Sequence, residues 1–196
     1  MGERPPIAIM FAGANGAGKT TTAMALFRET LRSVHFVNAD TIAQGLSGGA
    51  PESVALQAGA IMLERLHQLA EERKNLAFET TGASRSFATW VRNLKAAGYE
   101  YDLYFFWLQN ADAAIERVAE RVRSGGHDVP PDTIRRRYEA GLNNFFKLYL
   151  PLATNWQIID NNDVASPRQI AVGAEGCSPT VHNVMLWEDL KARYGS

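Results

Sequence analysis

The sequence predicts an α/β fold in which a parallel sheet is covered on both faces by helices. Two observations predict it. Short apolar runs of strand length alternate with longer stretches at helical spacing from residue 7 to residue 160, the pattern that right-handed crossovers between parallel strands impose. The first run is followed at once by Gly13-Ala14-Asn15-Gly16-Ala17-Gly18-Lys19-Thr20. That octet matches the phosphate-binding pattern G-x-x-x-x-G-K-[ST] in the place where the pattern has a mechanism, between a strand and a helix. Together they define a P-loop NTPase three-layer sandwich. A chain of 196 residues suits one such domain, 1–196, and is short for two.

The elements follow in order. Residues 7–12 read as a short buried strand, and 19–33 as a helix with Ala23, Leu26, Phe27 and Thr30 on one side. Residues 34–38 give a second strand that ends at Asp40, before a turn-rich stretch at 45–49. Pro51 suits the first turn of a second helix, along which Leu56, Ala60, Leu63, Leu66, His67 and Ala70 recur at helical spacing. Residues 75–79 are a third strand and 87–97 a third helix closed by Gly98. The fourth strand, 101–108, is strongly aromatic and reads as central. Asn110 caps the next helix, whose apolar stripe is Ala111, Ile115, Val118 and Val122 and which stops at Ser124-Gly125-Gly126. Pro130-Pro131-Asp132 opens another, with Ile134, Tyr138, Leu142, Phe145 and Tyr149 on one face, and 156–160 form a fifth strand. Beyond it only a closing helix at 184–194 is legible.

Composition excludes several functions. A formal net charge of −1 supplies no global field for nucleic acid or an anionic membrane. The lone Cys177 has no disulfide partner, and His35, His67, His127 and His182 are too scattered to ligate one metal ion. No apolar run is long enough to span a bilayer and the first residues are polar, so a cytoplasmic protein is expected. Leu46-Ser47-Gly48-Gly49 mimics the signature of transporter ATPases, but no strand ending in Asp-Glu follows it, so it reads as a loop. There is no Asn-Lys-x-Asp element of a GTPase either.

In such a sheet ligands bind at the carboxyl ends of the strands. Glycines at 13, 16 and 18 let successive amides converge on an anion, and the helix that starts there adds its positive dipole end. Gly13 through Thr21 are therefore the expected nucleotide contacts. Lys19 reaches the terminal phosphates and Thr20 holds a magnesium ion. The glycine spacing, G-x-x-G-x-G before a lysine, excludes a dinucleotide fingerprint. The ligand expected is a nucleoside triphosphate. Asp40, Glu79, Thr80 and Thr81 follow strands two and three and so face the same crevice as Lys19. A carboxylate there either deprotonates an attacking hydroxyl or holds magnesium. Asp40 is the candidate base, with the alternative of capping a helix at 41–43. Glu79 is acidic at the end of an apolar strand and needs a partner, substrate or magnesium. Six arginines (Arg117, Arg121, Arg123, Arg135, Arg136 and Arg137) surround the glycine-rich loop 124–130. This segment, around 123–137, reads as a lid, with Arg123 and Arg136 the residues chosen to neutralise a transferred phosphoryl group.

Five blocks, in order, carry a resemblance: Ala12 through Thr21, Phe36-Val37-Asn38-Ala39-Asp40, Phe78-Glu79-Thr80-Thr81, Gly125-Gly126-His127-Asp128-Val129-Pro130 and Ile134-Arg135-Arg136-Arg137-Tyr138. Over roughly residues 7–172 the chain resembles the zeta-toxin-like P-loop kinases. The resemblance implies a five-stranded parallel sheet in the order 2-3-1-4-5 with a helical lid, and ATP with Mg2+ as cofactors. It implies transfer of the ATP γ-phosphate to a hydroxyl of a small molecule, UDP-N-acetylglucosamine or a related sugar nucleotide, and a protein antitoxin as partner. By the same resemblance Lys19, Asp40, Arg123 and Arg136 are catalytic and Asp40, Glu79 and Thr81 touch substrate. Related kinases add Arg117 stacking on adenine with Asn161-Asn162 along its edge. The chain departs from the toxins proper in being shorter and compact between strands two and three. The alternative is an ATP-binding or ATPase regulatory module without small-molecule kinase activity.

Overall fold

A computed structural model describes residues 4–47 and 54–195. The first five strands are β1 (Ile7–Ala12), β2 (His35–Val37), β3 (Leu76–Thr80), β4 (Glu100–Trp107) and β5 (Asn155–Asp160). They are parallel and lie in the order 2-3-1-4-5, as expected. Two strands beyond that expectation, β6 (Arg168–Ala174) and β7 (Thr180–Val181), continue the sheet antiparallel from β5. The sheet therefore has seven strands rather than five. A glycine inside a strand normally reads as a break. In β6, Gly173 is instead required by packing, because a Cβ there would stand 2.6 Å from the Trp156 ring.

The β1–β4 region forms the core. Phe11 of β1 is fully buried and lies 5.5 Å from the Tyr104 ring and 6.3 Å from Phe106. Each fully buried side chain of this size contributes on the order of 1.5–3 kcal/mol. The helix expected at 19–33 is divided into α1 (Lys19–Leu26) and α2 (Arg28–Leu31). Phe27 between them turns its ring onto Tyr104, 4.3 Å away, which leaves Leu26 about half exposed rather than in the stripe. α3 (Ala39–Ser47) runs through Gly45, where turns were expected. Gly48, Gly49 and Pro51 lie outside the described residues.

α4 (Ala55–Glu71) buries Ala58, Met62, Leu66 and Leu69. The sequence stripe was rotated from this face, since Leu56 is 94% exposed and Leu63 is also exposed. α5 (Ser86–Ala96) and α6 (Ala111–Arg123) fall where expected, and the Asn110 carboxamide caps α6 by accepting from the Ala113 amide at 2.8 Å. α7 (Pro131–Asn144) continues as a π-helical turn, Phe145–Tyr149, and buries all five residues of its predicted stripe. α8 (Val184–Tyr194) closes the described chain and stacks Trp187 on Trp156 at 5.4 Å.

One set of contacts positions the site. Asn144 donates to the carbonyls of Gly82 and Ala83, both at 2.9 Å, and the Tyr149 hydroxyl donates to the Ser84 carbonyl. Gly141 lies against the Thr81 carbonyl, where a Cβ would come within 2.7 Å. The end of α7 thus clamps the loop that follows β3.

Candidate active site

The loop that carries the Gly13–Thr20 pattern connects β1 to α1, and its conformation depends on glycine. Gly13 has φ 145°, and a Cβ there would stand 2.4 Å from the Phe106 carbonyl oxygen. Gly18, with φ 73°, begins α1 against the Asn161 carboxamide. Side chains are strained at both angles, which is why the loop needs glycines here. Lys19 folds back over the loop, donating to the carbonyls of Gly13 at 2.9 Å and Ala14 at 3.1 Å. Such carbonyl contacts are replaceable by the oxygens of a phosphate.

Asp40 and Glu79 join Lys19 in one crevice of about 320 Å³ at the carboxyl ends of β1, β2 and β3. Asn38, not Asp40, begins α3: its side-chain oxygen accepts from the Asp40 amide at 2.8 Å and the Thr41 amide at 3.4 Å. The cap thereby fixes Asp40 in the first helical turn, with its carboxylate free of capping duty. Glu79 accepts from the Thr20 hydroxyl at 2.9 Å through Oε2, while Oε1 is buried without a hydrogen-bond partner. Burial pushes the Glu79 carboxyl above its ordinary 4.5, and the Lys19 ammonium and Thr20 hydroxyl pull it back. Burial likewise lowers the Lys19 ammonium, opposed by Glu79 and Asp40 and reinforced by Arg121 and Arg137. Two carboxylates and two guanidinium groups therefore act on one amine.

Among the arginines, the structure places Arg121 and Arg137 at the crevice. Arg137 lines it and donates to the Asn15 side chain at 3.1 Å. Arg121 donates to the His127 carbonyl at 2.7 Å and, with Asp40, Gly126 and His127, borders an adjoining cavity of about 110 Å³. Loop 124–130 thus lies over the first turn of α3. Arg123 and Arg136, the two arginines chosen from the sequence, are exposed, and Arg123 pairs with Glu120 on the surface. Helical spacing was the missed signal. Ala114, Arg117, Val118 and Arg121 share the face of α6 toward the loop, and Arg137 lies one turn before Gly141, which touches Thr81.

Arg117 donates to the Asn161 carbonyl at 2.9 Å and to the Asn162 carbonyl, so two of its donors brace the turn after β5. Asn161 itself is fully buried. Its carboxamide donates to the Ala17 carbonyl at 2.6 Å and accepts from the Thr22 hydroxyl at 3.1 Å, tying that turn to the phosphate loop. This anchor was not legible as such in the sequence. Thr81 lines the crevice, and Thr21 is exposed on α1.

Magnesium leans on phosphate oxygens and needs only one or two protein oxygens. The Thr20 hydroxyl beside the Glu79 carboxylate, with its unpartnered Oε1, fits that demand. Among the described residues no group of three or more His, Cys, Asp or Glu forms a metal cage of its own. None of the described helices is long and apolar enough to cross a membrane.

A glycine-rich loop after the central strand of a 2-3-1-4-5 sheet, with Glu79 in the neighbouring strand and Asp40 just after the edge strand, gives the chain the fold of P-loop kinases. The sequence model of the family described as Zeta toxin matches residues 2–166, and the chain belongs to that family. It is 24% identical over 131 residues to an uncharacterised protein of Haemophilus influenzae, covering 67% of this chain and 91% of that one. A structure of the PezAT chromosomal toxin-antitoxin system of Streptococcus pneumoniae is similar at a TM-score of 0.68 and 19% identity, over 100% of this chain and 81% of that one. A structure of AvrRxo1-ORF1:-ORF2 with ATP is similar at a TM-score of 0.75 and 14% identity. That alignment covers 95% of this chain but 64% of the longer chain it matches.

Proposed function

We propose that the protein is an ATP-dependent phosphotransferase acting on the hydroxyl of a small molecule. The observation that carries this reading is the meeting of Lys19, Asp40, Glu79 and Arg137 in one crevice beside the phosphate-binding loop. Family membership and the likeness to a fold solved with ATP support it.

In this reading the loop amides from Gly13 to Lys19 and the positive end of α1 hold the nucleotide phosphates. Thr21 adjoins them, and Arg117 with the turn it braces borders the adenine. Lys19 exchanges its two loop carbonyls for phosphate oxygens. Thr20 and Glu79 hold magnesium, which when bound neutralises charge on the β- and γ-phosphates. Asp40 accepts the proton of the acceptor hydroxyl as that oxygen bonds to the γ-phosphorus and the bond to ADP breaks. Arg121 and Arg137, rather than Arg123 and Arg136, steady the charge that develops. Loop 124–130 acts as the lid, and Glu79 and Thr81 flank the acceptor. UDP-N-acetylglucosamine, which the resemblance implies, is the first sugar nucleotide to test. A protein antitoxin as partner and a cytoplasmic location belong to the same reading, supported by the family and by PezAT.

The test is Asp40→Asn. It is expected to bind ATP as the wild type does and to lose phosphate transfer by at least a hundredfold, about 2.7 kcal/mol in the barrier. Undiminished transfer refutes the role of Asp40. No consumption of ATP by the wild type with any acceptor favours a binding module instead.

A further inference from the structure

We infer that Asn144, together with the Tyr149 hydroxyl, is a positioning residue for the acceptor: it fixes the segment after β3 whose hydroxyls line the crevice. The inference rests on the phosphotransferase reading and goes beyond it by assigning acceptor affinity to side chains that act through the main chain of that segment.

Residues 81–86 lead from β3 into α5 and bring Thr81, Ser84 and Ser86 to the crevice. The amides are met locally: those of Gly82 and Ala83 donate to the Thr80 hydroxyl at 3.2 Å and the Thr81 hydroxyl at 3.4 Å. The carbonyls are met from α7. A carboxamide carries two N–H donors, and the Asn144 nitrogen donates to the carbonyls of Gly82 and Ala83, both at 2.9 Å. The Tyr149 hydroxyl donates to the next carbonyl, that of Ser84. Three consecutive carbonyls are thereby held from one side. Both donor residues are buried, Asn144 at 9% and Tyr149 at 1% exposure, so water does not readily take their place.

The winding of the helix makes this contact possible. Asn144 and Tyr149 are five residues apart, and in an α-helix, at about 100° per residue, they would point about 140° from each other. The π-helical turn Phe145–Tyr149, bonded from the Leu150 amide back to the Phe145 carbonyl, winds more slowly and brings both side chains to the same segment. One turn earlier Gly141 lets the helix approach the Thr81 carbonyl, and one turn before that Arg137 donates to Asn15 in the loop after β1 at 3.1 Å. Arg137, Gly141 and Asn144 stand at i, i+4 and i+7, which is one face of α7. In the phosphotransferase reading that face touches both the loop that holds the nucleotide phosphates and the segment that flanks the acceptor. It therefore sets the spacing between donor and acceptor, where a misplacement of about 1 Å lowers transfer on the order of a hundredfold.

The experiment is steady-state kinetics of the purified full-length wild type, Asn144→Ala and Tyr149→Phe with ATP and Mg2+. The acceptor is UDP-N-acetylglucosamine or, where the wild type leaves that untouched, the compound it phosphorylates from a panel of free sugars, nucleosides and small alcohols. Asn144→Ala is expected to raise the acceptor KM by roughly tenfold or more while the ATP KM stays within about twofold. Tyr149→Phe removes only the hydroxyl and should raise the acceptor KM by about threefold. Asn143→Ala, whose carboxamide bonds within α7 to the Glu139 carbonyl, should change neither KM. A purely structural role predicts a smaller active fraction, which lowers kcat and leaves both KM values alone. That result overturns the inference, as does an ATP KM that rises in step with the acceptor KM. Should Asn144→Ala fail to fold, Tyr149→Phe decides, and an unchanged acceptor KM in it overturns the inference. If the wild type transfers phosphate to nothing in the panel, the phosphotransferase reading fails and this inference with it. If the wild type transfers and both variants keep its acceptor KM, only this inference fails.

Discussion

Asn161→Ala tests whether the phosphate loop is held from outside by the turn after β5. The native carboxamide makes two hydrogen bonds, 2.6 Å to the Ala17 carbonyl and 3.1 Å from the Thr22 hydroxyl. Ala17 is fully buried and Thr22 is 2% exposed, so water does not readily replace what is lost. Leaving a buried donor or acceptor unpaired costs about 1–3 kcal/mol each, which gives roughly 2–6 kcal/mol for the two groups. In a protein of this size each kcal/mol lowers Tm by about 2–4 °C, so calorimetry of the nucleotide-free protein should show a fall of roughly 4–24 °C. The same cut frees the loop where it enters α1. ATP affinity, titrated at a temperature where the variant is fully folded, should weaken by about tenfold, or 1.4 kcal/mol. A Tm within about 2 °C of wild type would show that the loop holds its own shape. An unchanged ATP affinity in a destabilised variant would show that Asn161 supports the fold without organising the cradle.

Two further predictions concern charge. Arg137→Ala should lower kcat by on the order of a hundredfold or more, the usual effect of removing one donor from a developing charge. Arg136→Ala, an exposed neighbour on the same helix, should stay within about twofold, and the reverse order would restore the sequence-based assignment. Glu79→Gln should abolish transfer yet raise the Tm of the nucleotide-free protein near neutral pH. Because burial raises the Glu79 carboxyl, its contribution to stability is full below its ordinary 4.5 and is lost as pH climbs through the raised folded value. Tm measured from about pH 4 to about pH 8 should thus show the variant gaining on wild type as pH rises. A wild type that stays the more stable at the upper end would mean the pairing of Glu79 with Lys19 outweighs its desolvation.

What was legible in the sequence was what local periodicity and spacing encode. The octet at 13–20 located the nucleotide end because its glycines meet a backbone requirement that hardly depends on the rest of the chain. The closing helix was read as 184–194, and α8 occupies those residues. Strands β6 and β7 were not legible: β7 is only two residues long, and in β6 the glycine at 173 is set by the Trp156 ring rather than by a local pattern. Asn161 was placed along adenine by likeness to related kinases, and sequence does not say that the neighbouring loop will claim its carboxamide. The arginines show the limit most clearly. On α7, Arg136 stands two residues from both Ile134 and Tyr138 and so points away from those core positions, which in the structure means toward solvent. A side chain that serves a crevice at the edge of a core must lie on the flank of the apolar stripe, about 100° from its centre, not opposite it. Arg137, next to Tyr138 and one turn before the glycine against Thr81, sits on that flank. Arg121 does the same on α6 beside Val118. In both helices the arginine that lines a cavity, Arg137 or Arg121, is the one at i+3 from a buried residue, Ile134 or Val118, and Arg136 and Arg123 near them are exposed.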